Sequence, residues 1–275
     1  MTSPRARRSP RRTEALSRER IVEAAVGLLD AAGEGGLTFR ALTERLATGP
    51  GAIYWHVANK GELLGAATEA VVAAAVATGP QRTGRAGGTE GAEGAEGAEG
   101  AEESGGAAES GGAAEAAREG IRCVALGLFD AIEEHPWLAP QLAGQLSRNP
   151  GGPVAPRIFE NIGRQVRALG VPGDSWFTAT SALVHYVLGA AGQNAANTAS
   201  GRALGPDADR AGFLDAVSTA WEGLDAEDYP FTRAVADQVR EHDDREQFLA
   251  GIDLVLAGIT ALHLPAGRPG GSPEA

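Results

Sequence analysis

A chain of 275 residues with 43% hydrophobic side chains has material for one large or two modest domains, each with a real core. Its formal net charge of -12 is uneven: residues 1–60 hold ten Lys and Arg against six Asp and Glu (net +4), leaving 14 against 30 (net -16) for the rest, a basic head on an acidic body. The single cysteine, Cys123, excludes an internal disulfide framework and a multi-cysteine zinc site, and there is no run of about 18 apolar residues to span a membrane.

Taken in order, residues 1–12 carry Arg5, Arg7, Arg8, Arg11 and Arg12 among Pro and Ser. They are expected to be a disordered basic arm, with contact to phosphates or the minor groove as the functional alternative to a bland tail. The arginines have no apolar segment behind them, so no secretion signal is expected and the chain should stay in the cytoplasm. A first domain is expected over 13–78. Ser17 can cap a first helix whose inner stripe is Ile21, Ala24, Ala25, Leu28 and Leu29, ended by Gly33. Thr38 can cap a second, with Phe39, Leu42 and Leu46 on one face. Gly49-Pro50-Gly51 breaks that helix and starts a third, which offers Ile53 and Val57 to the same core. Ala52, Tyr54, Trp55 and His56 are left facing outward or sideways. Two short amphipathic helices joined by a Gly-containing turn, here 38–57, form a helix-turn-helix unit whose second helix can enter the DNA major groove. Asn59 then caps a fourth helix, with Glu62 in the capping-box position and Lys60 in the first turn, where a phosphate is favoured.

From Arg18 to Gly33 and from Leu37 to Leu64 the sequence closely resembles the tetracycline-repressor (TetR) family of transcriptional regulators. The most specific residues are the run Ile53-Tyr54-Trp55-His56-Val57, then Asn59-Lys60 and Glu62-Leu63-Leu64. The resemblance covers roughly the first quarter of the chain. It departs at Thr48-Gly49, where many relatives carry Val-Ser, which affects the aim of the reading helix. The resemblance implies that Tyr54, His56 and Lys60 contact phosphates, that bases are met near Ala52 and Trp55, and that Arg40 approaches DNA. Arginine suits guanine O6 and N7. Thr48 and Gly51 complete the DNA-binding candidates, while Arg45 is read as a solvated face.

Residues 79–114, nearly all Gly, Ala, Glu and Ser with a period of three, cannot bury enough apolar surface to order themselves. A flexible acidic linker is expected there, an insertion relative to the family. A helical body is expected over 115–264, with Ile121, Val124, Leu128 and Ile132 in a helix ended by Pro136. Short helices follow over 137–146 and 157–169, and a long one, capped by Asp174, runs through Phe177, Leu183, Tyr186 and Val187. After a loop at 201–206 come helices near 213–221 and 231–240, then a last one over about 244–262 with Phe248, Leu249, Ile252, Val255, Leu256 and Ile259 as its stripe. Cys123 should be a small buried hydrophobe. Residues 265–275 read as a disordered tail. No period-2 pattern of strand length occurs, so the fold is expected to be all-α.

The resemblance implies a small-molecule effector held by the body, and Phe129, Trp137, Phe159, Trp176, His185 and Asn194 are the candidates to line its site. The segment around His185 is similar to a helix of the tetracycline-binding branch, in which a matching histidine lies in the drug–magnesium site. The branch's fourth-helix histidine is absent from Val71 to Val76, so magnesium is not expected, and a core histidine is the plainer alternative. Gln193, Asn194 and Asn197 could line a pocket or a dimer seam. His242-Asp243-Asp244 has metal-like spacing but reads as a polar turn with an Asp cap. No catalytic signature, metal site or cofactor is found: there is no P-loop, G-x-S-x-G, H-E-x-x-H or Rossmann pattern. The expected partners are a double-stranded DNA operator, a second copy joined through helices around 183–192 and 248–259, and an effector. No membrane is expected.

Overall fold

A computed structural model describes residues 16–77, 102–203 and 210–263, which form helices and no strand. The chain divides into two compact units, Met1–Ala67 and Thr68–Ala275. The expected basic arm, residues 79–101 of the expected linker and the expected tail lie outside the described residues.

In the first unit, α1 (Arg18–Gly36) begins where Ser17 Oγ accepts from the Arg20 N–H at 3.3 Å. Its buried residues are Ile21, Val22, Ala24, Ala25 and Leu29. The regular helix breaks at Ala32 and Gly33, where its end was expected, with Gly33 at φ 61°, and a further turn runs on to Gly36. A left-handed backbone is open to glycine at little steric cost, which is why the break falls there. Thr38 Oγ1 accepts from Ala41 N–H at 3.1 Å and starts α2 (Phe39–Leu46), whose Leu42 is fully buried. The helix is closed by Ala47 in the left-handed region (φ 49°), where a Cβ costs about 1 kcal/mol. Gly49 precedes α3 (Pro50–Tyr54), with proline in the first turn, where its missing N–H costs nothing. Ile53 and Val57 are buried as their spacing requires. Asn59 Oδ1 accepts from Glu62 N–H at 2.9 Å at the start of α4 (Lys60–Ala77), which begins in this unit and ends in the second.

The second unit is built around α8. Its helices are α5 (Glu102–Glu134), α6 (Leu138–Arg148), α7 (Val154–Ala168), α8 (Trp176–Ala203), α9 (Arg210–Glu222), α10 (Pro230–Ala234), α11 (Ala236–Arg240) and α12 (Asp244–His263). α8 packs against α5, α6, α7 and α12 through the stripe Thr180, Leu183, Val184, Val187 and Ala191. Close approaches rest on glycine: a Cβ on Gly127 would collide with the Ala75 carbonyl oxygen, and one on Gly251 with the Tyr186 hydroxyl. A polar ladder runs along α5 and α12 in opposite directions. Arg118 meets Thr260 at 3.4 Å, Arg122 meets Asp253 at 2.7 Å, and Arg245 meets Asp130. Partly exposed pairs like these set register more than stability.

Several expectations need correction here. The linker expected over 79–114 is helical from Glu102, because Glu and Ala extend α5 outward as good helix formers without needing a core of their own. Asp174 does not cap α8 directly: a single 3₁₀ turn (Gly173–Ser175) intervenes, Asp174 accepts from Ser175 Oγ, and Trp176 Nε1 donates to the Val171 carbonyl at 2.6 Å. The helix expected over 231–240 is broken at Val235 (φ −101°, ψ 3°) into α10 and α11. Cys123 is half-buried rather than buried; burial and the neighbouring Glu119 carboxylate push its thiol pKa up.

Candidate nucleic-acid interface

Three short-range events place the outward side chains of α3. Gly49 and Pro50 end one helix and start the next, so α3 is only five residues long. Ile53 and Val57 then bury one face, which fixes the rotation of the others about the helix axis. The Tyr54 ring lies on Phe39 of α2, centroids 4.6 Å apart and planes 14° from parallel. Trp55 is left 89% exposed. An indole in water is a large apolar and hydrogen-bonding surface left for something else.

The other DNA-binding candidates are placed less uniformly. Arg40 is exposed on the first turn of α2, its Nε 3.0 Å from Glu44 Oε1, an (i, i+4) surface pair that costs little to release. Thr48 and Ala52 are half-buried, and Gly51 is exposed with open space where a Cβ would stand. His56 is half-buried, and its carbonyl, at the end of the reading helix, accepts from Arg18 Nη1 at 2.7 Å. Lys60 is engaged with α1, its Nζ donating to the Glu34 carbonyl at 2.6 Å. A phosphate contact from Lys60 therefore has to compete with that bond.

One residue, Arg18, escaped sequence reasoning. The same Arg18 Nη1 donates to Glu62 Oε1 at 2.9 Å, while Glu62 Oε2 accepts from the Ala58 N–H at 2.8 Å. The Ala58 N–H, followed by Arg18, holds the Glu62 carboxyl below its ordinary value. Spacing marked Glu62 as a capping residue; nothing in the sequence marked Arg18, 38 residues from the carbonyl it holds.

The effector candidates in the body are scattered. Phe129 is buried with its ring 4.6 Å from Phe248, and Trp137 is buried 5.9 Å from the His135 ring. Phe159 is half-buried, 5.9 Å from exposed Phe177, and Trp176 lies under the Arg167 guanidinium at 5.6 Å. His185 is exposed, on the outer face of α8. Asn194 is 7% exposed on the inner stripe, and its Oδ1 has no hydrogen-bond partner among the described residues. Trp176, His185 and Asn194 follow one another along α8 at about 13 Å intervals, so they do not line one small-molecule site. His242 Nε2 lies 2.9 Å from Asp244 Oδ1, and Asp244 also meets Arg210, which makes this a polar turn. Among the described residues no group of three His, Cys, Asp or Glu could hold a metal, and no helix is long and apolar enough to cross a membrane.

Comparison with known proteins finds two family matches. Residues 21–67 match the family described as bacterial regulatory proteins, tetR family, and residues 114–263 match the tetracyclin repressor-like C-terminal domain. Among solved structures, the transcriptional regulator SCO7222, a TetR from Streptomyces coelicolor, is 62% identical, with 90% of this chain and all of that one covered at a TM-score of 0.71. The TetR family protein ActR from the same organism, solved in complex with actinorhodin, shares the fold at 23% identity and a TM-score of 0.63 over 94% of this chain and all of that one. The class C tetracycline repressor of Escherichia coli is 46% identical over 57 residues, 21% of this chain. The match spans 26% of that repressor, so the chain covers about a quarter of the length of such curated relatives.

Proposed function

The chain belongs to the TetR family of transcriptional regulators, and from that premise we infer that it binds a two-fold-symmetric operator duplex as a homodimer and represses until a small molecule occupies its C-terminal unit. The observation that carries this reading is Trp55, exposed at the C-cap of a five-residue helix that the core and the Phe39–Tyr54 stack hold in place. In this reading Trp55, Ala52 and Gly51 meet base edges, while Arg40, Thr48, Tyr54, His56 and Lys60 meet the flanking backbone or guanines. The basic charge of residues 1–60 supplies the non-specific attraction. The protein acts in the cytoplasm, and no catalytic role is proposed for it.

One short reading helix contacts too few base pairs to select a genomic site, so two copies are needed. The exposed stripes that would join them are Ala182, His185 and Gly189 on α8, and Ala250, Leu254, Ala257, Gly258, Ala261 and Leu262 on α12. These lie on the same two helices as the seam expected from sequence but on different residues: Leu183, Val187, Phe248, Ile252, Leu256 and Ile259 face the core, and Gly251 is filled by Tyr186. Paired with their symmetry mates, the outer stripes form a four-helix bundle.

For the effector, the unpartnered Asn194 carbonyl supports a ligand that brings a hydroxyl or N–H donor. Such a ligand lowers DNA affinity by binding better to the conformation that holds DNA less well. The test is selection from a pool of random duplexes by the full chain, followed by binding at several salt concentrations. An enriched, near-palindromic site with steep salt dependence is expected; no enrichment overturns the reading.

A further inference from the structure

At 89% exposure Trp55 has no packing of its own to aim it, so its direction is set by the backbone on either side. On the N-terminal side that backbone is held by the Tyr54 ring on Phe39. On the C-terminal side it is held at the His56 carbonyl, in the turn that follows the C-cap residue Trp55. Arg18 reaches this carbonyl from the first turn of α1, and the same guanidinium nitrogen meets Glu62. Glu62 is in turn fixed from two sides, its Oε2 on the Ala58 N–H and its own N–H on Asn59 Oδ1. The segment His56 to Glu62 is thus closed into a ring of hydrogen bonds with Arg18 at its centre.

We propose that Arg18 and Glu62 are positioning residues for DNA recognition: through the His56 carbonyl they aim Trp55, and so set which sequence the head prefers. The proposal rests on the DNA-binding reading above. Two rival roles make different predictions. If Arg18 contacts phosphate, its loss weakens binding to every duplex and lowers the salt slope. If Glu62 is only a surface carboxylate near DNA, its neutralisation removes a repulsion and strengthens binding to every duplex. A positioning role instead predicts that both changes cut preference for the selected site alone.

The charge sign is what makes Glu62→Gln decisive. Glutamine keeps an oxygen for the Ala58 N–H but loses the ion pair with Arg18. Removal of a negative charge from a DNA-binding head should help binding, so a specific loss cannot come from electrostatics.

The experiment uses the full chain, the duplex enriched from the random pool, and a scrambled duplex of the same composition. Arg18→Met and Glu62→Gln are each expected to bind the selected duplex about tenfold more weakly, with the scrambled duplex changed less than about twofold and the salt slope retained. Arg18→Lys, which keeps one donor group, should recover part of the preference. Melting temperatures are measured alongside, and Glu62→Gln decides between the roles if Arg18→Met melts early. Equal weakening of both duplexes by Arg18→Met, or tighter binding of both by Glu62→Gln, overturns the proposal. If the wild type enriches no duplex, the DNA-binding reading falls and this inference falls with it.

Discussion

The rings of Phe39 and Tyr54 stack across the turn between α2 and α3, 4.6 Å apart and nearly parallel, and this contact is what turns a five-residue helix into a fixed platform. An isolated helix of that length has no stability of its own, since it cannot recover the cost of nucleation. Its order comes from Ile53 and Val57 below and Phe39 alongside.

The stack separates two roles of Tyr54. Tyr54→Phe keeps the ring contact and loses only the hydroxyl, so the melting temperature should stay within about a degree while affinity falls for all duplexes. Phe39→Ala removes the contact, worth about 0.5–1.5 kcal/mol beyond area burial, and should lower both the melting temperature and the preference for the selected site. Unchanged DNA affinity in Tyr54→Phe across a salt titration would remove the phosphate contact assigned to it.

Much of this head was legible in the sequence because its signals are local. Ser17, Thr38 and Asn59 each stand at a helix start with a side chain that caps it, and each makes the bond that its position implies. The stripe Ile53 and Val57 follows from a period of four. What could not be read depends on contacts between distant residues or on the choice between two faces of one helix. Arg18 finds the His56 carbonyl only after α1 and α4 are packed. α8 is apolar or small on most sides, so nothing in its pattern tells His185 (outside) from Leu183 (inside). In α12, Leu254 and Leu256 belong to stripes on opposite sides, and composition cannot rank them. The Gly/Ala/Glu run from Glu102 lacks core-forming residues, yet helix needs no core when a packed helix is there to extend.

Glu62 gives the head a defined acid response. Its folded pKa lies below the ordinary value of about 4.5, chiefly through the Ala58 N–H and then Arg18. A group whose pKa is lowered by folding contributes stability that is whole above its unfolded value and is lost as pH falls through the folded one. The melting-temperature gap between wild type and Glu62→Gln should therefore be flat from about pH 7 to 5 and shrink below about pH 4.5. A gap that widens with acid would contradict the hydrogen bonds assigned to this carboxylate.

Gly251 and Gly111 make a paired test of the body. A Cβ on Gly251 would collide with the Tyr186 hydroxyl and its Cζ, and Tyr186 cannot swing away because its ring stacks on Phe248 and its hydroxyl donates to the Phe248 carbonyl at 3.1 Å. Gly251→Ala should cost about 1–3 kcal/mol by overpacking. Gly111, in the outward part of α5, has nothing within 4 Å. Gly111→Ala should raise helical content by circular dichroism and leave the stability level or higher, by about 0.5–1 kcal/mol at most. Denaturant titration of the two variants ranks them directly; a Gly251→Ala chain as stable as wild type would mean that α8 and α12 are looser than described.

The dimer is tested by two leucines that sit two residues apart on α12. Leu256 is 2% exposed and belongs to the core with Ile252 and Ile259; Leu254 is 75% exposed and continues the outer line of Ala250, Ala257, Gly258, Ala261 and Leu262. An unpaired charge buried in a core costs several kcal/mol, a sizeable share of a domain's stability. Leu256→Glu should therefore unfold the body and say nothing about assembly. Leu254→Glu places the same charge where the free chain is solvated, so helical content and melting of the monomer should be kept. In a symmetric seam each copy brings its introduced carboxylate toward the other's, so two like charges meet and the pairing is lost. Light scattering across a concentration series should show wild type at twice the chain mass and Leu254→Glu at the chain mass, with DNA affinity falling along with the dimer. Leu262→Glu, two turns on along the same line, should do likewise. A Leu254→Glu chain that still has twice the chain mass would place the seam elsewhere and leave this stripe as bare surface.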